Sequence, residues 1–124
     1  MAFGSHGIDS YKQTQVQSRT PVELVVMLYD GAIASLTSAS DAIGRKDIAA
    51  RRDALSRAMA IISELQSTLN MEKGGEIAVS LDRLYDYANL RLLDGAMRND
   101  AKPIEEVKRL FEILRDGWNH AASA

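Results

Sequence analysis

The stretch TPVELVVMLYDGA, residues 20–32, decides the fold because it holds a complete helix start followed by an unusually apolar helix. Thr20, Pro21 and Glu23 form a capping box: a threonine cap, a proline where a missing N–H is tolerated, and a glutamate three residues after the cap. Glycine commonly ends helices. Because Gly44 is the next glycine after Gly31, the sequence predicts a helix over residues 21–44.

This first helix carries two apolar sides, whereas a helix packed on a core needs only one. The side predicted to pack against the core of the bundle carries Val22, Val25, Tyr29, Ile33 and Leu36, and these residues are enough to complete that core. The second side carries Leu24, Met27 and Leu28, where charged residues are expected. Soluble monomers seldom expose large apolar patches, so this side is expected to be covered. Three alternatives are possible: a broader core, a second copy of the chain, or a helix of another protein.

Gly31 in this helix and Gly95 further along bear on that choice. A glycine inside a helix is less favourable than alanine by about 1 kcal/mol, and it commonly permits another backbone to come close. That backbone can belong to a partner or to one of the chain's own helices, and the pattern alone favours neither.

Apolar residues at helical spacing predict three further helices, over residues 47–70, 75–99 and 103–120. Their predicted core stripes are Ile48, Leu55, Ile62 and Leu69; Ile77, Leu81, Leu84, Tyr85, Ala88 and Leu92; and Ile104, Val107, Phe111, Leu114 and Trp118. Leu90, Leu93 and Met97 widen the apolar surface of the third helix, and NMEKGG before it is predicted to be a loop.

No strand-like alternation occurs, and loops of about four to six residues favour antiparallel neighbours. The fold class is therefore predicted to be all-α: an antiparallel, up-down-up-down four-helix bundle over residues 20–124. The polar residues 1–19 are predicted to form an N-terminal arm, either flexible or a short helix.

The composition argues against several functional classes. With 15 basic and 17 acidic side chains and a net charge of −2, no basic block favours nucleic acid. No cysteine, Glu-x-x-His pair or phosphate loop occurs, and His6 and His120 lie near the chain ends, so neither a metal site, a cofactor site nor an enzyme is predicted. Without a signal peptide or a long apolar run, the expected location is the cytoplasm, with no membrane insertion.

Three segments carry a resemblance to a known family: LVVMLYDGAI at 24–33, IISELQSTLNMEKGGEIAVSLDRLYDYANLRL at 61–92, and LRDGW at 114–118. In combination they resemble the flagellar secretion chaperone family FliS, over residues from about 11 to 118. The resemblance implies a non-enzymatic chaperone that binds the disordered C-terminal segment of flagellin in hydrophobic grooves, prevents its premature polymerisation, and helps deliver it to the export gate protein FlhA.

On that resemblance, the second apolar side of the first helix and the extra apolar residues of the third would bind the client. The predicted client-binding residues are Leu24, Met27, Leu28, Gly31, Leu90, Leu93 and Met97. Ile8 and Tyr11 match an apolar residue and a tyrosine that in the family cap the empty groove and dock on FlhA. The alternative is a self-associating structural bundle, in which the second apolar side is a homodimer interface.

Overall fold

Helix α1, Pro21–Gly44, begins at the capping box that the sequence predicts. The N–H of Glu23 donates to Thr20 Oγ1 at 3.2 Å, and the N–H of Thr20 donates to Glu23 Oε1 at 3.0 Å. These bonds satisfy N–H groups that have no partner within the helix, and so they fix its start. The computed structural model describes residues 19–123, so Ile8, Tyr11 and the rest of the predicted arm up to residue 18 lie outside the described residues.

Three more helices follow: α2 over Ile48–Ser67, α3 over Met71–Arg98 and α4 over Ala101–Ser123. Asp47 and Asn70 cap α2 and α3, because each side chain accepts the N–H of the residue three positions on, in both cases at 3.0 Å. Residues 45–47, 68–70 and 99–100 connect the helices, so the connections are shorter than predicted.

The starts of α3 and α4 differ from the prediction. Residues 71–74 form a helical turn instead of a loop because Asn70 caps them, and the break falls at Gly75, which is non-helical with φ 52° and ψ −131°. Helix α4 starts two residues before Pro103, because Asp100 Oδ1 accepts the N–H of Lys102 at 3.0 Å. Proline is tolerated in this first turn, where N–H groups have no intrahelical partner.

The helix contacts confirm the predicted fold class. Helix α1 packs against α2 and α4, and α3 packs less extensively against the same two helices, so α1 and α3 occupy diagonal corners. With connections this short, each helix runs antiparallel to the next. Residues 19–123 thus form an up-down-up-down bundle of four helices without a strand.

The two ends of the bundle differ. One end, called the arm end here, holds the start of α1, the end of α2, the start of α3 and the end of α4. The opposite end holds the turns 45–47 and 99–100, and there Arg51 Nη1 donates to Asn99 Oδ1 at 2.9 Å. Asn99 adopts the left-handed conformation (φ 51°, ψ 46°), which asparagine tolerates better than most residues.

Three aromatic rings form the centre of the core. Phe111 of α4 meets Tyr29 of α1 and Tyr85 of α3 edge-on, with ring centroids 5.2 Å and 6.2 Å apart. The two tyrosine hydroxyls share a hydrogen bond of 2.6 Å, which joins the diagonal helices across the core. Burial raises the pKa of both phenols, so both stay neutral. The other large, fully buried side chains are Leu36, Ile62, Leu65, Leu92, Ile104 and Val107.

We expect Tyr85→Phe to lower the free energy of unfolding by about 1–3 kcal/mol, because it deprives the buried hydroxyl of Tyr29 of a partner. The double variant Tyr29→Phe/Tyr85→Phe should lose less than the sum of the two single losses, since neither half of the bond remains. Urea unfolding of the four proteins measures this. If the double variant lost as much unfolding free energy as the two single variants together, the two hydroxyls would not be coupled through this hydrogen bond.

Two residues on the predicted core stripes are exposed. Ile48 is 57% exposed because it is the first residue of α2, at the end of the bundle. Ile77 is 71% exposed, since it follows the break at Gly75 in a part of α3 that packs loosely. Other stripe residues are half-buried, namely Val22, Val25, Ile33, Leu69, Leu81, Leu84, Leu114 and Trp118. Most of these lie towards the arm end, where the core is least complete.

Both glycines inside the helices stand at contacts within the bundle. A Cβ atom added at Gly31 would lie 3.3 Å from Ile61 Cδ1, so this glycine permits α2 to approach α1 closely. At Gly95 a Cβ atom would lie 3.0 Å from the carbonyl oxygen of Asp100 and 3.2 Å from Ile104 Cγ1. Packing between the chain's own helices, one of the two interpretations open from the sequence, therefore accounts for both.

Helix α1 is apolar and long enough to cross a membrane by length and composition alone, the one such helix among residues 19–123. Its packing along both α2 and α4 accounts for part of that composition, and the α1 residues Leu24, Met27 and Leu28 remain half-buried. Asp30, near its middle, forms an ion pair of 3.1 Å with Arg115 of α4.

Candidate functional site

A groove along α1 and α2 contains three of the predicted client-binding residues. Leu24, Met27 and Leu28 line it together with Glu64 of α2 and Thr68, the residue that follows α2, and its volume is about 350 Å³. All three apolar side chains are half-buried, and Leu28 also packs against the core. This surface, called the α1–α2 groove, is therefore neither sealed in the core nor a flat exposed patch. Gly31, one turn beyond Met27, lies where α1 and α2 approach each other.

A second apolar surface runs along the outside of α3. Leu90 is 66% exposed, Leu93 46% and Met97 86%, and their spacing of three and four places them on one side of the helix. These residues, called the α3 stripe, point away from the core, which α3 contacts through Tyr85, Ala88 and Leu92. The structure thus leaves the most apolar exposed surface of α3 without a covering helix.

The structure separates the predicted client-binding residues into two groups. The apolar residues of the α1–α2 groove belong to α1 and those of the α3 stripe belong to α3, and these two helices stand at diagonal corners of the bundle. The apolar pattern identifies residues that the core does not use, but it contains no information on which helices become neighbours. The two groups therefore form separate surfaces.

Ion pairs and hydrogen bonds border the α3 stripe on the side towards α4. Arg91 Nε donates to Glu106 at 2.7 Å, Arg91 Nη1 donates to Asp94 at 3.0 Å, and the hydroxyl of Tyr87 also donates to Glu106. Arg98 extends the network to Asp94 at 2.9 Å. The hydrogen bonds from Tyr87 and Arg91 lower the pKa of the Glu106 carboxyl, so the network is intact at neutral pH. It fastens α3 to α4 and places charged groups along the α4 side of the apolar stripe.

A third apolar hollow, called the end cavity, opens at the arm end and was not predicted. Its volume is about 200 Å³, and residues of all four helices line it, among them Val25, Leu69, Leu81 and Trp118. The sequence analysis placed these residues in the core. No local signal distinguishes them from core residues, because the cavity exists only where four helix ends fail to fill the space between them.

The titratable side chains give no sign of a catalytic or metal centre in the described part of the chain. Among residues 19–123, no group of three or more histidines, aspartates or glutamates stands close enough to hold a metal ion. The neighbouring acids Asp82 and Asp86 both accept hydrogen bonds from the amide of Gln66, at 2.8 Å and 2.9 Å. Their role in the structure is to join α3 to α2.

Comparison with known proteins finds a family and several relatives that cover most of the chain. The family model described as flagellar protein FliS matches residues 4–124. The chain is 41% identical to the flagellar secretion chaperone FliS of Salmonella typhimurium, over 94% of this chain and 90% of that protein. It is 35% identical to FliS of Bacillus subtilis, over 90% and 83% of the two chains. With the flagellar secretion chaperone FliSB of Pseudomonas aeruginosa it shares 34% identity, over 86% and 85%.

These matches cover nearly the whole chain at identities above 30%, and they include the three helices that carry the α1–α2 groove and the α3 stripe. The chain therefore belongs to the FliS family of flagellar secretion chaperones, which is a family of chaperones and not of enzymes, as the residues predicted.

Proposed function

We propose that this protein acts in the cytosol by binding the C-terminal segment of flagellin, keeping it from polymerising early, and helping deliver it to the export gate protein FlhA. The observation that carries the proposal is the α3 stripe, where Leu90, Leu93 and Met97 are exposed side by side on an otherwise charged helix face. Family membership supplies the context, because the relatives are named flagellar secretion chaperones.

The α3 stripe suits a client that becomes helical when it binds. An amphipathic helix presents apolar residues at spacings of three and four, which match the spacings along the stripe. A disordered segment that docks in this way buries its apolar face on the chaperone, so that face is not available for packing into a filament. The ordering of the segment offsets much of the gain from burial, and this keeps the complex reversible.

The α1–α2 groove offers a second position for the same client. Leu24, Met27 and Leu28 present apolar surface there, and Gly31 lies beside them at the contact with α2. A segment that occupies both surfaces must pass around the bundle, since the two lie on diagonal helices. Two linked contacts raise the overall affinity without either contact being strong by itself.

Titration with a synthetic peptide of the flagellin C-terminal segment tests the proposal. We expect the far-ultraviolet circular dichroism of the mixture to gain helicity beyond the sum of the two components, with saturation at one peptide per chain. A peptide of the same composition in scrambled order is the control. Light scattering across concentration tests the alternative, because a tight homodimer that ignores the peptide would overturn the chaperone proposal and favour a self-associating bundle.

The predicted arm is proposed to cover the client-binding groove when no client is present and to dock the loaded complex on FlhA. Ile8 and Tyr11 are the residues proposed to make these contacts. Support comes from where the chain enters α1. Arg19 and Thr20 stand at the arm end, and Val25, in the second turn of α1, lines the end cavity.

Deletion of residues 1–18 should therefore leave the bundle folded and its affinity for the flagellin peptide equal or higher. The deletion keeps Thr20 and Glu23, so the capping box that starts α1 remains. Circular dichroism measures the fold, and isothermal titration calorimetry measures the affinity. A loss of peptide binding by a folded deletion variant would show that the arm contacts the client instead of competing with it.

A further inference from the structure

The start of α3 is built differently from the rest of that helix. Gly75 has φ 52° and ψ −131°, the mirror image of an extended conformation, which glycine adopts freely and other residues do not. The turn 71–74 before it folds back on the next turn of α3, because a Cβ atom added at Gly74 would lie 2.7 Å from the Cβ of Ala78. Two adjacent glycines thus allow a bend that a continuous helix would not have.

Residues 71–81 hold only weakly to the bundle. Ala78 is the one buried residue among them, whereas Met71, Ile77 and Val79 are exposed large apolar side chains. Beyond them, α3 buries a residue in every turn, at Tyr85, Ala88, Leu92 and Gly95. Helix α3 is anchored to α2 from residue 82 onwards, where Gln66 donates to Asp82 and Asp86.

The end cavity lies beneath this segment. Ile77, Ala78 and Leu81 form part of its lining, and Trp118 of α4 forms another part. Because the cavity holds about 200 Å³ of space, the inner side of residues 71–81 lacks many of the packing contacts that the rest of α3 makes. A segment with few buried contacts is expected to open locally at a lower free energy than the core.

We propose that residues 71–81 form a flap that opens by local unwinding of α3 as far as its anchor at residue 82, and so widens the mouth of the end cavity. In the closed state, which the structure shows, the bend at Gly75 keeps the flap over the cavity. In the open state the flap lifts away from the end cavity, and the apolar lining around Tyr85 and Trp118 becomes more accessible. The inference concerns a movement of this chain alone and does not depend on the proposed flagellin client.

Hydrogen exchange of the full chain, read by mass spectrometry, tests the flap in the wild-type protein. Amides of residues 77–81 should exchange at least tenfold faster than those of residues 85–95, because they open without global unfolding. Equal exchange rates in the two segments would overturn the proposal. This measurement needs no variant, so it decides the question even if a substitution prevents folding.

Gly75→Ala tests the role of the bend at Gly75 in keeping the flap closed, with Gly117→Ala as the matched control. Alanine at position 75 disfavours the closed bend, whereas Gly117 has no positive φ and open space around its Cα. We expect Gly75→Ala to speed exchange of residues 77–81 roughly tenfold and to leave residues 85–95 unchanged. Gly117→Ala should leave both segments as in the wild type.

Trp118 distinguishes a flap that opens over the end cavity from simple fraying of a helix end. It is the only tryptophan in the chain, and it lines the end cavity from α4. Flap opening should raise the acrylamide quenching of its fluorescence in Gly75→Ala but not in Gly117→Ala. Faster exchange without a change in quenching would mean that residues 71–81 fray without uncovering the cavity, and this result would also overturn the proposal.

Discussion

Phe111→Ala should lower the free energy of unfolding by about 3–5 kcal/mol, the usual range for truncation of a fully buried phenylalanine. The Phe111 side chain has no solvent exposure and fills the space between α1 and α3. Its removal leaves a cavity and also takes away two edge-on ring contacts, each of which is worth about 0.5–1.5 kcal/mol beyond burial. Because Tyr29 and Tyr85 are fastened to each other at their hydroxyls, they have little freedom to move into the space.

Urea unfolding followed by circular dichroism measures this loss, and Ile113→Ala on the same helix is the control. Ile113 lies two residues from Phe111 but is 60% exposed, so its truncation should change stability by no more than about 0.5 kcal/mol. If the two variants lost similar amounts of unfolding free energy, the contacts of Phe111 would not stabilise the core more than those of an exposed side chain, which would contradict the prediction.

The double variant Leu90→Lys/Met97→Lys should weaken binding of the flagellin peptide about a hundredfold or more. Each exposed side chain offers apolar surface that a docked helix would bury, and full burial of a leucine or methionine is worth about 1.5–3 kcal/mol. Two such losses, when fully realised, amount to about 3–6 kcal/mol, which exceeds the 2.8 kcal/mol or so that corresponds to a hundredfold change. Calorimetric titration measures the affinity.

Lysine is chosen because position 90 lies four residues from both Asp86 and Asp94, so the new charge is attracted to its helix neighbours. The double variant should therefore unfold at nearly the same urea concentration as the wild type. Ile48→Lys is the control for surface charge, since Ile48 is also exposed but lies on α2 at the end of the bundle. Equal affinity of both variants for the peptide would exclude the α3 stripe as a client surface.

Helix starts were predictable because their causes are local. The bonds between Thr20 and Glu23 and the cap at Asp47 depend on residues three positions apart, which are visible in the sequence. At the start of α3 the same reasoning was incomplete. Gly74 and Gly75 suggested a loop, but the Asn70 cap forms a helical turn first, and the two glycines then permit a bend.

Burial along α3 shows what periodicity leaves undetermined. Ile77 and Leu92 both belong to the predicted core side, yet Ile77 is largely exposed and Leu92 is fully buried. The difference comes from the neighbours: Leu92 lies where α2 and α4 enclose α3, and Ile77 lies where the helix ends leave the end cavity. Spacing identifies a side of a helix, whereas the depth of burial depends on which other helices reach it.

The candidate surfaces were predictable in kind but not in arrangement. An excess of apolar residues on α1 and α3 indicated surface beyond the needs of the core, and the structure places Met97 and Leu90 in solvent. Gly31 and Gly95, in contrast, turned out to serve contacts with Ile61 and with the turn into α4. A glycine inside a predicted helix indicates a close contact with another part of a protein, but it does not indicate whether that part belongs to the same chain or to a partner.

An even number of antiparallel helices places the first residue of α1 and the last residue of α4 at the same end of the bundle. A purification tag or fluorescent protein attached directly before α1 or after α4 would therefore stand at the end of the bundle that holds Trp118 and the mouth of the end cavity. Labels introduced into the turn at 45–47, where Arg45 and Lys46 are exposed, would sit at the far end instead. Fluorescence or pull-down work on this chaperone should accordingly carry its probe in that turn.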